Sequence, residues 1–274
     1  MVVGPDDASA ATGALVDGRY RLTRRLRCGV GASAWRGTDE LLRRPVAVQV
    51  FEPESVCVPD VFAAVRRVSR LTHSGLPQVL DANESARRPY LIGEWLGGRN
   101  LASVLAAGPL HPRCAAQAFR RVSEALAVAH AAGVYHLRLG PRSMVWTTSG
   151  QVKIVGLGVE AALAGTRADD PRRSDTRALA ELLRLALAPG HGGESTIRPT
   201  SRQALRSWMA RRRGVGRELE SIADRVVRTG RRPIRTADRL AAELERVGRC
   251  GSLAVSARPI PIVWLGPRHR GVAA

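Results

Sequence analysis

The chain has 274 residues, 45% of them hydrophobic, which is enough for one large domain or two lobes around a shared cleft and excludes a disordered protein. Its formal net charge of +19 would ordinarily point to nucleic acid or an anionic surface, but the excess is arginine scattered largely in pairs, with Lys153 the only lysine. Aromatic residues at 4% are too few for the stacking platforms of a single-strand binder, and Cys28, Cys57, Cys114 and Cys250 lack the CxxC spacing of a disulfide framework or zinc site.

Residues 1–14 are small and polar and read as a disordered lead, with acids where a signal peptide carries basic residues. From Leu15 to Phe51, short apolar runs alternate with glycines, as in a strand meander. Its most continuous piece is Pro45-Val46-Ala47-Val48-Gln49-Val50-Phe51, a buried strand. Val61, Phe62, Val65, Val68 and Leu71 then fall at helical spacing over Asp60 to Leu71. Strand signals follow at Pro77 to Leu80 and Tyr90 to Ile92, separated by a polar turn, and Glu94-Trp95-Leu96-Gly97-Gly98 reads as a hinge.

Beyond the hinge the pattern becomes helical. Leu101 to Ala106 is short, and Pro112 to Ala132 is a long amphipathic run stopped by Gly133. Ser143 to Thr147 and Val152 to Val155 are strand-like and joined by a Ser149-Gly150 turn. Helices are expected over Ser174 to Leu187, Glu218 to Val227, and Thr236 to Val247, the last starting at a Thr cap. The tail from Gly251, with Pro259, Pro261 and Pro267, reads as irregular. The densest basic cluster, Arg206 to Arg217, is a candidate docking patch, and no run of eighteen apolar residues marks a membrane span.

Placed end to end, Tyr20-Arg21-Leu22, the Leu26 to Ser33 loop, the Val46-Ala47-Val48-Gln49 strand, the Tyr90 to Leu96 hinge, Ala129 to His136, and Ser174-Asp175 resemble bacterial Ser/Thr protein kinases over roughly residues 15–250. The resemblance implies an α+β, two-lobed protein-kinase-like fold. A β-rich small lobe would span 15–94, a helical large lobe 95–250, and an irregular tail 251–274.

Phosphoryl transfer needs a cation on the nucleotide phosphates, positioned metals, and a carboxylate near the accepting hydroxyl. By the resemblance, the glycine-rich loop positions read Arg27, Gly29 and Ala32. The lysine of the third strand is Gln49, and its glutamate partner falls near Ala64. In His136-Leu137-Arg138-Leu139-Gly140-Pro141-Arg142-Ser143 the base position is Arg138 and the metal-binding asparagine is Ser143. The metal-binding aspartate is Gly156, and none of the altered motifs offers a carboxylate in exchange. Lys153 sits where the family often carries a surface lysine, while Asp175 matches its structural aspartate, and His73, Trp95 and His136 read as structural.

These exchanges lead to the expectation of a pseudokinase and not an enzyme, with no required cofactor and no metal site. It resembles in particular the actinobacterial pseudokinases associated with the lipid II flippase. Such a chain would be a cytoplasmic scaffold or regulator, recruited to the membrane, with a protein partner such as a cell-wall synthesis protein or a phosphothreonine-reading domain. The regulatory candidate is Thr166, with Asp169 three residues on. One alternative is a nucleotide switch: Ala47 would pack on adenine, the Glu94 to Leu96 backbone would bond its edge, Gly93 would leave the pocket open, and Gly29 and Gln49 would lie near the phosphates, so that ATP binds without metal. Two further alternatives are a weakly active Ser/Thr kinase, and an arginine-rich binder of nucleic acid or membrane, which the absence of a reader motif disfavours.

Overall fold

The structure is a computed structural model, and it describes residues 11–29, 31–52, 58–188, 212–228 and 233–249. Most of the expected lead 1–14, most of the Arg206 to Arg217 cluster, and the tail 251–274 lie outside the described residues.

The small lobe is a six-stranded antiparallel sheet in the order β1-β2-β3-β4-β6-β5. Its strands are β1 (Leu15–Val16), β2 (Tyr20–Gly29), β3 (Ala32–Asp39), β4 (Arg44–Phe51), β5 (Val79–Asn83) and β6 (Tyr90–Glu94). Strand β4 is central, paired with β3 along its whole length and with β6 from Val46 to Val50. The period-two pleat divides its side chains. Val46, Val48 and Val50 are buried on one face with Tyr20, Leu22, Trp35, Tyr90 and Ile92, whereas Ala47 and Gln49 turn half-buried to the other. Helix α1 (Val58–Val68) lays Val61, Phe62 and Val65 against Phe51, and Val159 of the large lobe joins the same cluster.

The large lobe packs around α3 (Pro112–Ala131), which opens with Pro112 after a His111 cap and ends before Gly133 at φ 70°. Around it lie α2 (Leu101–Leu105), α4 (Val159–Leu163), α5 (Pro171–Leu187), α6 (Arg217–Val227) and α7 (Ala237–Arg249). One core runs through these helices, with Phe119, Val122, Leu126, Leu179, Leu183 and Leu240 almost fully enclosed. A three-stranded sheet, β7 (Gly98–Asn100), β8 (Met144–Thr147) and β9 (Val152–Ile154), lies beside it. The two-lobed α+β architecture is therefore as the sequence implied. Helix α5 begins three residues earlier than expected because Asp170 caps Arg173 N (3.0 Å) and Pro171 takes the first turn.

Two points hold the sheets in place. At the β3 to β4 turn, the buried Asp39 accepts a fork from Arg19 (2.9 and 2.8 Å) and the backbone N–H groups of Leu41 and Leu42 (3.2 Å each). The Arg19 guanidinium, with those amides, lowers the Asp39 pKa to about 2. Gly98, at φ 146°, brings the backbone into such close contact with Trp146 O that an added Cβ would overlap it. Only glycine fits there, at the junction between hinge and large lobe.

A depressed carboxylate pKa adds stability above its unfolded value of about 4 and loses it as pH falls towards the folded value. Thermal melts between pH 5 and pH 2 should therefore show a loss of stability in the native chain that Asp39→Asn flattens, with the variant already less stable at pH 7 by about 1–3 kcal/mol. Gly98→Ala should lower the melting midpoint by several degrees, because strained backbone of this kind costs about 1–3 kcal/mol. An unchanged midpoint would show that the β7–β8 contact yields without cost.

Candidate functional site

Between the lobes lies a cavity of about 590 Å³, whose walls include Ala47, Gln49, Gly93, Glu94, Leu96 and Gly156. The outward face of β4 supplies Ala47 and Gln49, β6 and the hinge supply the next three, and the turn after β9 supplies Gly156. The structure thus brings together Ala47, Gln49, Glu94 and Leu96, four of the five expected nucleotide-site residues, with Gly93 beside them. Gly93 leaves the space beside it open: an added Cβ would meet nothing nearer than Gln78 O at 3.6 Å. The Glu94 backbone N–H donates to Gln78 O (2.9 Å).

Other expected residues stand apart. Gly29 is exposed at the tip of the β2–β3 hairpin, paired with Ala32, and does not line the cavity. Arg138 is exposed and also outside its wall. Ser143 spends its hydroxyl inside its own loop, where it accepts from Gly140 N (3.2 Å), while its carbonyl accepts from Val155 N (2.8 Å). Thr166 is half-buried just after α4, its N–H donating to Ala161 O (2.9 Å).

The loop from His136 to Ser143 is held from beneath. Asp175, 1% exposed, accepts the N–H groups of His136 (2.7 Å) and Leu137 (2.6 Å) and the Nε2–H of His130 (3.0 Å). The buried His136 ring bonds Val155 O through Nε2 (2.9 Å) and accepts the Arg138 N–H at Nδ1 (3.3 Å). His73 Nδ1 accepts from Gly75 N (3.0 Å), and Arg36 lies over the Trp95 ring at 5.4 Å.

Two sequence expectations need correction. Lys153 is not at the surface: it is 9% exposed, and its Nζ bonds both oxygens of Glu94 (2.9 and 2.7 Å) and Leu76 O (3.3 Å). It reaches inward because β9 pairs with β8 and turns this residue to the underside of the hinge. The altered motifs also do contain a carboxylate. Glu160, four residues after Gly156, folds back over it because α4 starts there, with Glu160 N–H bonded to Gly156 O (3.1 Å). An added Cβ on Gly156 would meet Glu160 Cγ at 2.6 Å and stand 3.6 Å from its Oε1. The spacing of four across a glycine turn into a helix was the available signal. Glu160 is ion-paired with Arg27, the residue at the first glycine position of the loop.

Among the described residues, no group of three His, Cys, Asp or Glu side chains is placed to hold a metal ion. Of the cavity's two lining carboxylates, Glu94 is engaged by Lys153 and Glu160 by Arg27. That donor set does not fit a resident magnesium ion, which takes carboxylate and phosphate oxygens in a near-octahedral shell. No helix among the described residues is long and apolar enough to cross a membrane.

No protein-family model matches the chain. It is 35% identical over 165 residues to the Ser/Thr protein kinase PknA of Mycobacterium tuberculosis, covering 57% of this chain and 38% of that protein. It is 31% identical over 156 residues to PknL of the same species, covering 55% and 39%. The chain thus spans well under half the length of these curated relatives. The kinase domain of M. tuberculosis PknI superposes with a TM-score of 0.61 at 20% identity, covering 88% of this chain and all of that one, a likeness of fold. These findings overturn the expectation that the chain is not an enzyme: the matched relatives are named Ser/Thr protein kinases, and they point to an enzyme. Over the matched segment the chain is homologous to bacterial Ser/Thr protein kinases, and its fold is theirs.

Proposed function

We propose that the chain is an ATP-binding, kinase-like regulatory domain that acts through a protein partner. The observation that carries this reading is the interlobe cavity of about 590 Å³, lined at one end by Ala47, Gly93 and the hinge, where an adenine would sit. Contacts of this kind come from apolar surface and main chain, so they do not depend on the charged residues that differ here. The nucleotide binds without a resident metal, in keeping with the poor donor set. The partner is a protein of cell-wall synthesis or a phosphothreonine-reading domain, met at the cytoplasmic face of the membrane, and a relation to the flippase-associated members of the kinase family belongs to the same reading. Thr166, beside the exposed Arg167 and Asp169, is the modification site a phosphothreonine reader would recognise.

A second reading, phosphoryl transfer to a Ser or Thr hydroxyl, is favoured by the homology to PknA and PknL. It predicts transfer of labelled γ-phosphate to the chain itself or to a protein substrate.

Thermal unfolding with adenosine or ATP, each with magnesium or with a chelator, tests the main reading. A ligand at a hundred times its dissociation constant adds about 2.7 kcal/mol, which should raise the midpoint by roughly 5–10 °C. The expected rise with ATP survives chelation, and no rise with either ligand would overturn the reading. After phosphorylation by a Ser/Thr kinase, a forkhead-associated domain should capture the native chain and release Thr166→Ala. Equal capture of both would remove Thr166 from the proposal.

A further inference from the structure

The phosphate end of the cleft is spanned by one ion pair. Arg27 lies on β2 of the small lobe, opposite Ala34 in the register, and its Nη2 donates to Oε1 of Glu160 on α4 of the large lobe. Their side chains are 53% and 27% exposed, and both residues line the cavity beside Gln49 and Gly156. The Glu160 Cγ occupies space that a side chain at position 156 would claim, with its carboxyl 3.6 Å from that point. Gln49, opposite on β4, offers an amide but no charge. Arg27 is thus a cation at this end, and its present partner is an anion belonging to the chain. To a guanidinium, carboxylate and phosphate oxygens are interchangeable acceptors, each able to take its planar N–H groups.

We propose that Glu160 is a built-in occupant of the phosphate subsite and that Arg27 is the residue that selects a nucleoside polyphosphate. On binding, the phosphate oxygens replace the Glu160 carboxylate on Arg27, and the link between the lobes passes from the protein's own ion pair to the ligand. The exchange is of hydrogen bonds alone: no bond is made or broken covalently, and no metal takes part. Because carboxylate and phosphates carry like charge, Glu160 must swing away as the ligand enters, which makes the pair a competitor that weakens polyphosphate binding relative to an unopposed Arg27. The proposal rests on the ATP-binding reading and adds to it the group that senses the phosphates.

The test is titration calorimetry of the full chain with adenosine, AMP, ADP and ATP in the presence of a chelator. Affinity should rise along that series. Glu160→Gln should tighten ATP about three- to fivefold, the scale of one solvent-exposed ion pair, and leave adenosine unchanged. Arg27→Ala should bring ATP down to the adenosine value. Adenosine binding with ATP no tighter would overturn the proposal and leave the nucleotide-binding reading standing, whereas binding of neither would overturn both. Weaker ATP binding in Glu160→Gln, with a requirement for magnesium in the native chain, would assign Glu160 to a cation and overturn the exchange.

Discussion

A single buried carboxylate holds the floor of the cleft. Asp175 emerges from α5 into the middle of the large lobe and is almost sealed from water, where an unpaired charge would cost several kcal/mol. It is satisfied by backbone N–H groups of His136 and Leu137 and by the His130 ring. Those bonds hold Leu137 at φ 57°, a conformation that a leucine adopts only when its surroundings compel it. From that point the chain turns through Gly140 to Ser143, and His136 reaches across to Val155, so the two segments beneath the cavity are tied to one anchor.

The lobes meet by a different physical device. The matched position on α1 is Ala64, and apolar packing of Phe51, Val61, Phe62 and Val65 against Val159 joins α1 to the segment after the Gly156 turn. Apolar burial is non-directional and tolerates small sliding, whereas a buried ion pair fixes two groups in register. Directional links between the lobes are carried instead by Arg27 with Glu160 at one end of the cleft and Lys153 with Glu94 beneath the hinge.

Much of the fold was legible in the sequence because its signals are local. The Val46, Val48, Val50 alternation defines a central strand, and the apolar spacing of α3 and α5 defines helices that face the core. Asp175 and His136 were placed by their motif, and Ala47, Gln49, Glu94 and Leu96 line the interlobe cavity. What could not be read was side-chain direction between segments far apart in the chain. The resemblance put Lys153 where the family often carries a surface lysine, but β9 pairs with β8 and carries it under the hinge, 59 residues from its partner. Glu160 was missed for a similar reason, since its partner Arg27 is 133 residues away and only the β2–β3 hairpin brings them together. Short elements such as β7 and α4 carried too few residues for a periodic signal.

The burial of Lys153 also sets the chemistry of the protein's surface. Every other basic side chain apart from histidine is a guanidinium, which keeps its proton far beyond neutral pH, so the positive exterior does not soften as the medium becomes alkaline. Side-chain amine chemistry is confined to one atom beneath the hinge, masked by the Glu94 carboxylate. Acylation of that amine would remove its charge and break the pair, leaving Glu94 without its cation. Amine-reactive reagents would therefore modify side chains only to the extent that the hinge opens, turning the protein's one lysine into an intrinsic gauge of the separation of its lobes.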